Sequence, residues 1–269
     1  MKKPVTKISQ SIAALLIIFC VFSSSAYSQS VWVEEPDGEA TIGLEALIPS
    51  LDIANGDDPI FAAYLYSHIP ISEQFTLQFD LPISYLNGVG DGIGIGNPYV
   101  GLQYGSVNSG IKVDLGLRLP LASDNGTSLA GFISDTYKVT PFVPDVFGII
   151  SNIHYRYEAE SGLILRLGGG PELVVPDEGD EDLFVKYYGQ LLYGVNDFTF
   201  GAGITGRVIT TLQGLSFSER ANHNLGITGS HDFDKATLGA HLYFPVDDSF
   251  TGIEDLVDYV FAVNVTFPL

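Results

Sequence analysis

The sequence predicts an all-β fold, a transmembrane, antiparallel, up-and-down β-barrel of about twelve strands of the outer-membrane type. Three observations predict it: period-two alternation along most of the chain, strand lengths suited to a bilayer, and connections that alternate between long and short. Ile111–Leu119 sets the pattern, with every odd residue apolar and every even one polar or Gly. Phe75–Leu81 repeats it, and so does 257–267 with a softer inner face. A strand puts such a pattern on one side automatically, and a helix cannot.

The expected strands lie near 38–48, 59–69, 74–85, 96–106, 110–120, 146–158, 162–174, 182–194, 198–211, 219–231, 235–246 and 257–267. Most run about 10 to 13 residues, against roughly 5 or 6 for a globular strand and about 9 to 11 for a tilted membrane strand. The odd-numbered connections are long and rich in Gly, Asp and Pro: 49–58, 86–95, 121–145, 175–181, 212–218 and 247–256. The even-numbered ones, such as Val195-Asn196-Asp197, are tight turns. Short periplasmic turns facing longer outer loops produce this rhythm, whereas the Greek-key crossings of a sandwich mix lengths. Aromatic girdles account for Tyr85, Tyr104, Tyr155, Tyr157, Tyr193, Tyr259 and Phe267 near outward strand ends.

The termini are read separately. Lys2, Lys3 and Lys7 precede an apolar run, Ile12 to Phe22, that is too short for a spanning helix. Ala26-Tyr27-Ser28 then offers small residues to a signal peptidase, so 1–28 is expected to be a signal peptide. Residues 29–37 form a periplasmic N-terminal segment able to plug the barrel mouth, and 38–269 form the barrel, placed in the outer membrane of a Gram-negative-type bacterium. The only cysteine, Cys20, lies in the signal segment, which excludes disulfides and thiolate chemistry from the mature chain.

Losing Lys2, Lys3 and Lys7 leaves 9 of the 12 Lys+Arg against 32 Asp+Glu and moves the formal charge from −20 to −23. Such a chain avoids nucleic acid, whose binding depends on Lys and Arg. A positive mean hydropathy of +0.24 coexists with this acidity. Acidic clusters stand in the outer loops at Asp57-Asp58, Asp177–Asp182 and Asp247-Asp248. Solubility explains them; weak divalent-cation bridging to lipopolysaccharide is the functional alternative.

Gly94–Tyr104 resembles the Gly-rich entry and following strand of the bacterial outer-membrane family named for the meta-pathway of phenol degradation. Leu115–Pro120, followed by Ser123-Asp124-Asn125-Gly126, is similar to that family's strand ending in Pro and a Gly/Asp loop. At position 97 this chain has Asn where the family pattern has Asp. The resemblance implies a barrel and a role in transporting hydrophobic or aromatic compounds.

No catalytic or cofactor motif is evident. His68, His154, His223, His231 and His241 lack metal-ligand spacing and read as lumen or interface residues. Gly201–Gly206 spells a dinucleotide fingerprint, but Arg207–Thr211 continues as strand where that motif needs a helix. An outer-rim hydrolase would need a Ser/His pair at matching depth, and none is evident.

With apolar residues outward, alternation sends Asp80, Lys112, Asp114, Arg118, Arg156, Arg166, Glu172, Lys186 and Arg207 into the lumen. A charge facing lipid at mid-depth would cost about 2–4 kcal/mol. These charges either brace a filled barrel or line a polar channel, and twelve strands lie between the filled eight and the open sixteen. The expected function is passive passage of small solutes, without catalysis or cofactor. The alternative is a closed structural or surface-interaction barrel. Expected partners are outer-membrane lipid, lipopolysaccharide, the barrel-assembly machinery and a small-molecule solute. Residues 121–145 are the segment best suited to fold inward as a constriction.

Overall fold

The computed structural model describes residues 31–32, 38–51, 59–87, 92–105, 110–138, 140–212, 214–247 and 256–269. The expected signal peptide, most of the N-terminal segment and the acidic positions 57, 58 and 248 lie outside the described residues. The strands are β1 (Thr41–Leu51), β2 (Ile60–Pro70), β3 (Phe75–Leu86), β4 (Gly92–Ile95), β5 (Tyr99–Tyr104) and β6 (Ile111–Arg118). Then follow β7 (Val146–Glu158), β8 (Leu163–Pro176), β9 (Asp182–Val195) and β10 (Phe198–Ile209). The last three are β11 (Ala221–Phe233), β12 (Ala236–Pro245) and β13 (Val257–Pro268). Two helices, α1 (Gly126–Ser134) and α2 (Phe217–Arg220), sit in long connections.

Every pairing is antiparallel and, apart from β3 with β5 and the closing pair β1 with β13, joins consecutive strands; β1 pairs with both β2 and β13. Since β2 also pairs with β3, the sheet closes on itself. β4 and β5 both pair with β3 and act as two halves of one wall strand, so the barrel is twelve-stranded. Closure satisfies the backbone polar groups between strands, as hydrocarbon demands.

Two boundaries differ from the sequence expectation. The strand expected at 96–106 begins at Gly92 and is broken at 96–98, where Pro98 has no N–H for the ladder. At the outer end of β13 the register with β1 shifts between Ser50 and Leu51. That irregularity turns Val257 inward, against the simple odd-residue alternation.

Lipid-facing and lumen-facing residues otherwise alternate as the pattern requires. Tyr259, Phe261, Val263 and Phe267 of β13 point out, while Val260, Ala262, Asn264 and Thr266 are buried inside. Tyr104, Tyr155, Tyr157 and Tyr193 also lie exposed near strand ends. Ile227 sits mid-strand on the outer face of β11, 56% exposed in the absence of lipid. Ile227→Lys is therefore expected to cost about 2–4 kcal/mol on folding into liposomes, against roughly 0–1 kcal/mol for Val195→Lys at a strand end, both read from urea titrations.

Candidate functional site

The lumen is the site, and its contents come from two places. The first is the long segment between β6 and β7, which folds into the barrel from the loop end. Asn125 caps α1 by accepting from the Thr127 and Ser128 amides at 3.1 and 3.2 Å. Past the helix, Asp135 accepts the Tyr64 hydroxyl at 2.7 Å and the amides of Tyr137 and Lys138 at 3.1 and 2.9 Å. The Thr136 hydroxyl donates to Asn224 Oδ1 at 3.1 Å, and Thr140 donates to Glu172. Phe142 is buried against Tyr64, their rings 5.9 Å apart.

Asn97, in the break between β4 and β5, fixes this segment to the wall. Its Nδ2 donates to the carbonyls of Thr140 and Val143, each at 2.7 Å. Its Oδ1 accepts the amides of Leu121 and Ala122, each at 2.7 Å. A carboxylate could accept as Oδ1 does but could not donate to two carbonyls, which gives a physical reason for Asn at this position. Asn97→Asp is expected to cost about 3 kcal/mol or more, since it leaves buried acceptors unpaired beside a new buried charge. The check is the thermal midpoint of the folded band on a gel together with protease cleavage within 119–145, which should increase.

The second obstruction is the N-terminal segment, of which Val31 and Trp32 are described and both lie buried within the barrel. Gln190 Nε2 donates to the Val31 carbonyl and Thr228 Oγ1 to the Trp32 carbonyl, each at 3.0 Å. The indole stacks on Tyr243, centroids 6.2 Å apart and planes 11° from parallel. It passes so close to Gly226 that a Cβ there would sit 2.8 Å from the indole. Val31, Trp32, Tyr64, Tyr137, Phe142, Tyr188 and Tyr243 belong to one buried apolar cluster, so the core of this barrel is its own lumen.

Seven of the nine sequence-predicted lumen charges are buried inside: Asp80, Asp114, Arg118, Arg166, Glu172, Lys186 and Arg207. The other two, Lys112 and Arg156, share the inward parity but sit at the turn end. Lys112 borders a recess of about 60 Å³ with Glu39, His68 and Glu73, and Arg156 pairs with Glu158 at 2.6 Å in a half-open position. Arg118 grips Asp80 with two bonds of 2.8 Å, donates to the Asn97 carbonyl at 2.7 Å and lies over the Tyr99 ring. Tyr99 fits because Gly101 and Gly116 leave its ring room on the inner wall. Lys186 pairs with Glu172 at 2.7 Å, and His154 bridges Asp114 at 2.6 Å and the Tyr188 hydroxyl at 3.0 Å. Arg118 is thus a structural brace whose charge is spent on Asp80.

Sequence reasoning missed several lumen groups. Glu45 is buried with His241, 3.4 Å away, but β1 reads as nearly all apolar. Tyr64, Tyr66 and Tyr99 face inward, hidden because tyrosine scores as apolar. Lys138, buried with its ammonium 4.0 Å from the Tyr64 centroid, lies in a connection, where alternation says nothing. Of the histidines, His68, His154 and His241 are buried within, whereas His223 faces out between Tyr187 and Asp247, and His231 stacks on Phe198 at an exposed strand end. Among the described residues no group of three or more His, Cys, Asp or Glu could hold a metal. Gly201–Gly206 lies within β10, with Leu192 and Gln190 side chains over Gly201 and Gly203, so no helix N-terminus stands there for a phosphate.

No protein-family model matches the chain, and no curated protein sequence matches it. Solved structures do. An outer-membrane channel from Pseudomonas putida F1 superposes with a TM-score of 0.60 at 13% identity, covering 91% of this chain and all (100%) of that one. The NanC porin gives 0.54 at 12% identity, covering 85% and 100%. The KdgM porin gives 0.50 at 9% identity, covering 85% and 99%. At such identities the likeness is one of architecture: the chain has the fold of an outer-membrane β-barrel.

Proposed function

We propose that this protein is an outer-membrane channel for small solutes, performing no covalent chemistry, whose lumen is closed in the conformation described. The observation that carries this reading is the origin of the blockage. The middle of the barrel is filled by two segments that enter from its ends, and no wall strand needs to move for one of them to leave. The contacts that hold Val31 and Trp32 include two hydrogen bonds, ring stacking and apolar packing, and none of them belongs to the strand ladder of the wall. The resemblance of 94–126 to the phenol meta-pathway family favours hydrophobic or aromatic solutes, and the tyrosine-rich interior suits them. The outer membrane is the expected location, with lipopolysaccharide against the loop end.

The rival reading is a closed structural barrel. It draws support from the small residual cavities, about 20 and 10 Å³ around the obstructions. Planar-bilayer recording of purified protein separates the two. Stepwise conductance is expected, and Lys112→Glu, at the turn-end recess, should shift its ion selectivity toward cations. Correctly folded protein with no conductance at any voltage would refute the channel.

A further inference from the structure

The cavity of about 20 Å³ lies where the two obstructions meet, bounded by Val31 from one, by Tyr137, Lys138 and Thr140 from the other, and by wall residues. It has room for about one or two waters. Its wall carries Arg118, Lys138, Lys186 and His154, and no Asp or Glu lines it. Three of these four basic groups are matched: Arg118 by Asp80, Lys186 by Glu172 and His154 by Asp114. Lys138 is different. It is 6% exposed, its Nζ has no hydrogen-bond acceptor among the described residues, and its ammonium rests on the face of Tyr64. Arg118 Nε is likewise without an acceptor, although both terminal nitrogens are engaged.

A buried ammonium with three donors and no acceptor costs several kcal/mol until something pairs with it. We propose that this cavity is the subsite for the carboxylate group of a small organic acid, one oxygen accepting from Lys138 Nζ and the other facing Arg118 Nε. The inference rests on the channel reading and narrows its solute class. The neighbouring buried Asp135 spends its oxygens on the Tyr64 hydroxyl and the Tyr137 and Lys138 amides, so the Lys138 donors remain open to a single carboxylate, and a phosphate dianion would be under-compensated beside that acid. Tyr137, Tyr188 and Ile150 around the same cavity would flank an apolar body. The space holds only the acid head, so the rest of the solute must take the place of Val31 and Trp32. Carboxylate and ammonium then form a charge-assisted pair where neither is hydrated.

The test uses the full mature protein in detergent with Trp32, its only tryptophan, as the reporter. Cyclohexanecarboxylate is titrated at neutral pH against its uncharged analogue, cyclohexanemethanol. The acid should quench or shift Trp32 emission saturably, with affinity about tenfold or more above that of the alcohol, the worth of a charge-assisted hydrogen bond. Lys138→Met should remove this preference and leave the response to the alcohol in place, and Lys138→Arg should retain the preference. Equal responses to acid and alcohol in the wild type, a comparison that needs no variant, overturn the subsite. So does a Lys138→Met protein that keeps the wild-type preference. Conductance of the same preparations keeps the two readings apart: a conducting barrel with no acid preference defeats only the subsite, and acid preference in a non-conducting barrel supports the subsite and defeats the channel.

Discussion

Asp80→Asn is expected to destabilise the barrel by about 3–5 kcal/mol, the cost of leaving one member of a buried ion pair without its partner. Arg118 is 2% exposed, and Asp80 accepts from both of its terminal nitrogens. An asparagine returns only one acceptor and points an amide donor at the guanidinium. The damage should spread, because Arg118 also holds the Asn97 carbonyl and Asn97 holds the inward-folded segment. Urea titration in liposomes should show the midpoint moving down, and bilayer recordings should become noisier as 119–145 loosens. An Arg118→Met, Asp80→Leu double replacement should recover much of the loss, since apolar groups of similar volume often match a buried pair in stability. A single Asp80→Asn variant as stable as the wild type would show that the pair braces nothing.

On the proposed channel reading, Trp32→Ala is expected to open the lumen without unfolding the barrel. Truncating a buried aromatic costs on the order of 3 kcal/mol, and here that cost falls on docking of the N-terminal segment. The undocked population should grow by about a hundredfold, since each 1.4 kcal/mol is a factor of ten. The wall strands keep their own pairings, so the melting profile should change far less than the conductance. Liposome swelling with a small sugar gives the readout in a second assay. If open probability and swelling stay at wild-type levels, the obstruction lies with the loop segment instead.

The fold was legible because lipid enforces the alternation that betrays it. Strands such as 146–158, which has the same bounds in sequence and structure, must keep one face apolar over their whole length. The break at 96–98 was not visible, because Gly96 and Pro98 can sit at a strand's end as well as in a gap. The charged half of the lumen was readable from parity alone, since Asp114 and Arg118 stand out on β6. The rest was hidden for a different reason: Trp32, Lys138 and Asp135 belong to segments with no period, and only their contacts place them. Asn97 could be noticed as a departure from a resembling pattern, yet its four hydrogen bonds required coordinates.

The short β4 has a bearing on how such a barrel is made. It pairs with β3 on one side, and no described strand pairs with its other edge. Just beyond it, the Asn97 amide donates to the Pro141 carbonyl at 2.6 Å, and a Cβ on Gly96 would strike that same carbonyl. Chain from the β6–β7 connection therefore does the work of a missing strand end. Hydrocarbon supplies no donors to an unfinished edge, so the seating of 140–143 is expected to be coupled to completion of this stretch of wall. Shortening that connection is then expected to lower the yield of folded barrel, read as the folded band on a gel.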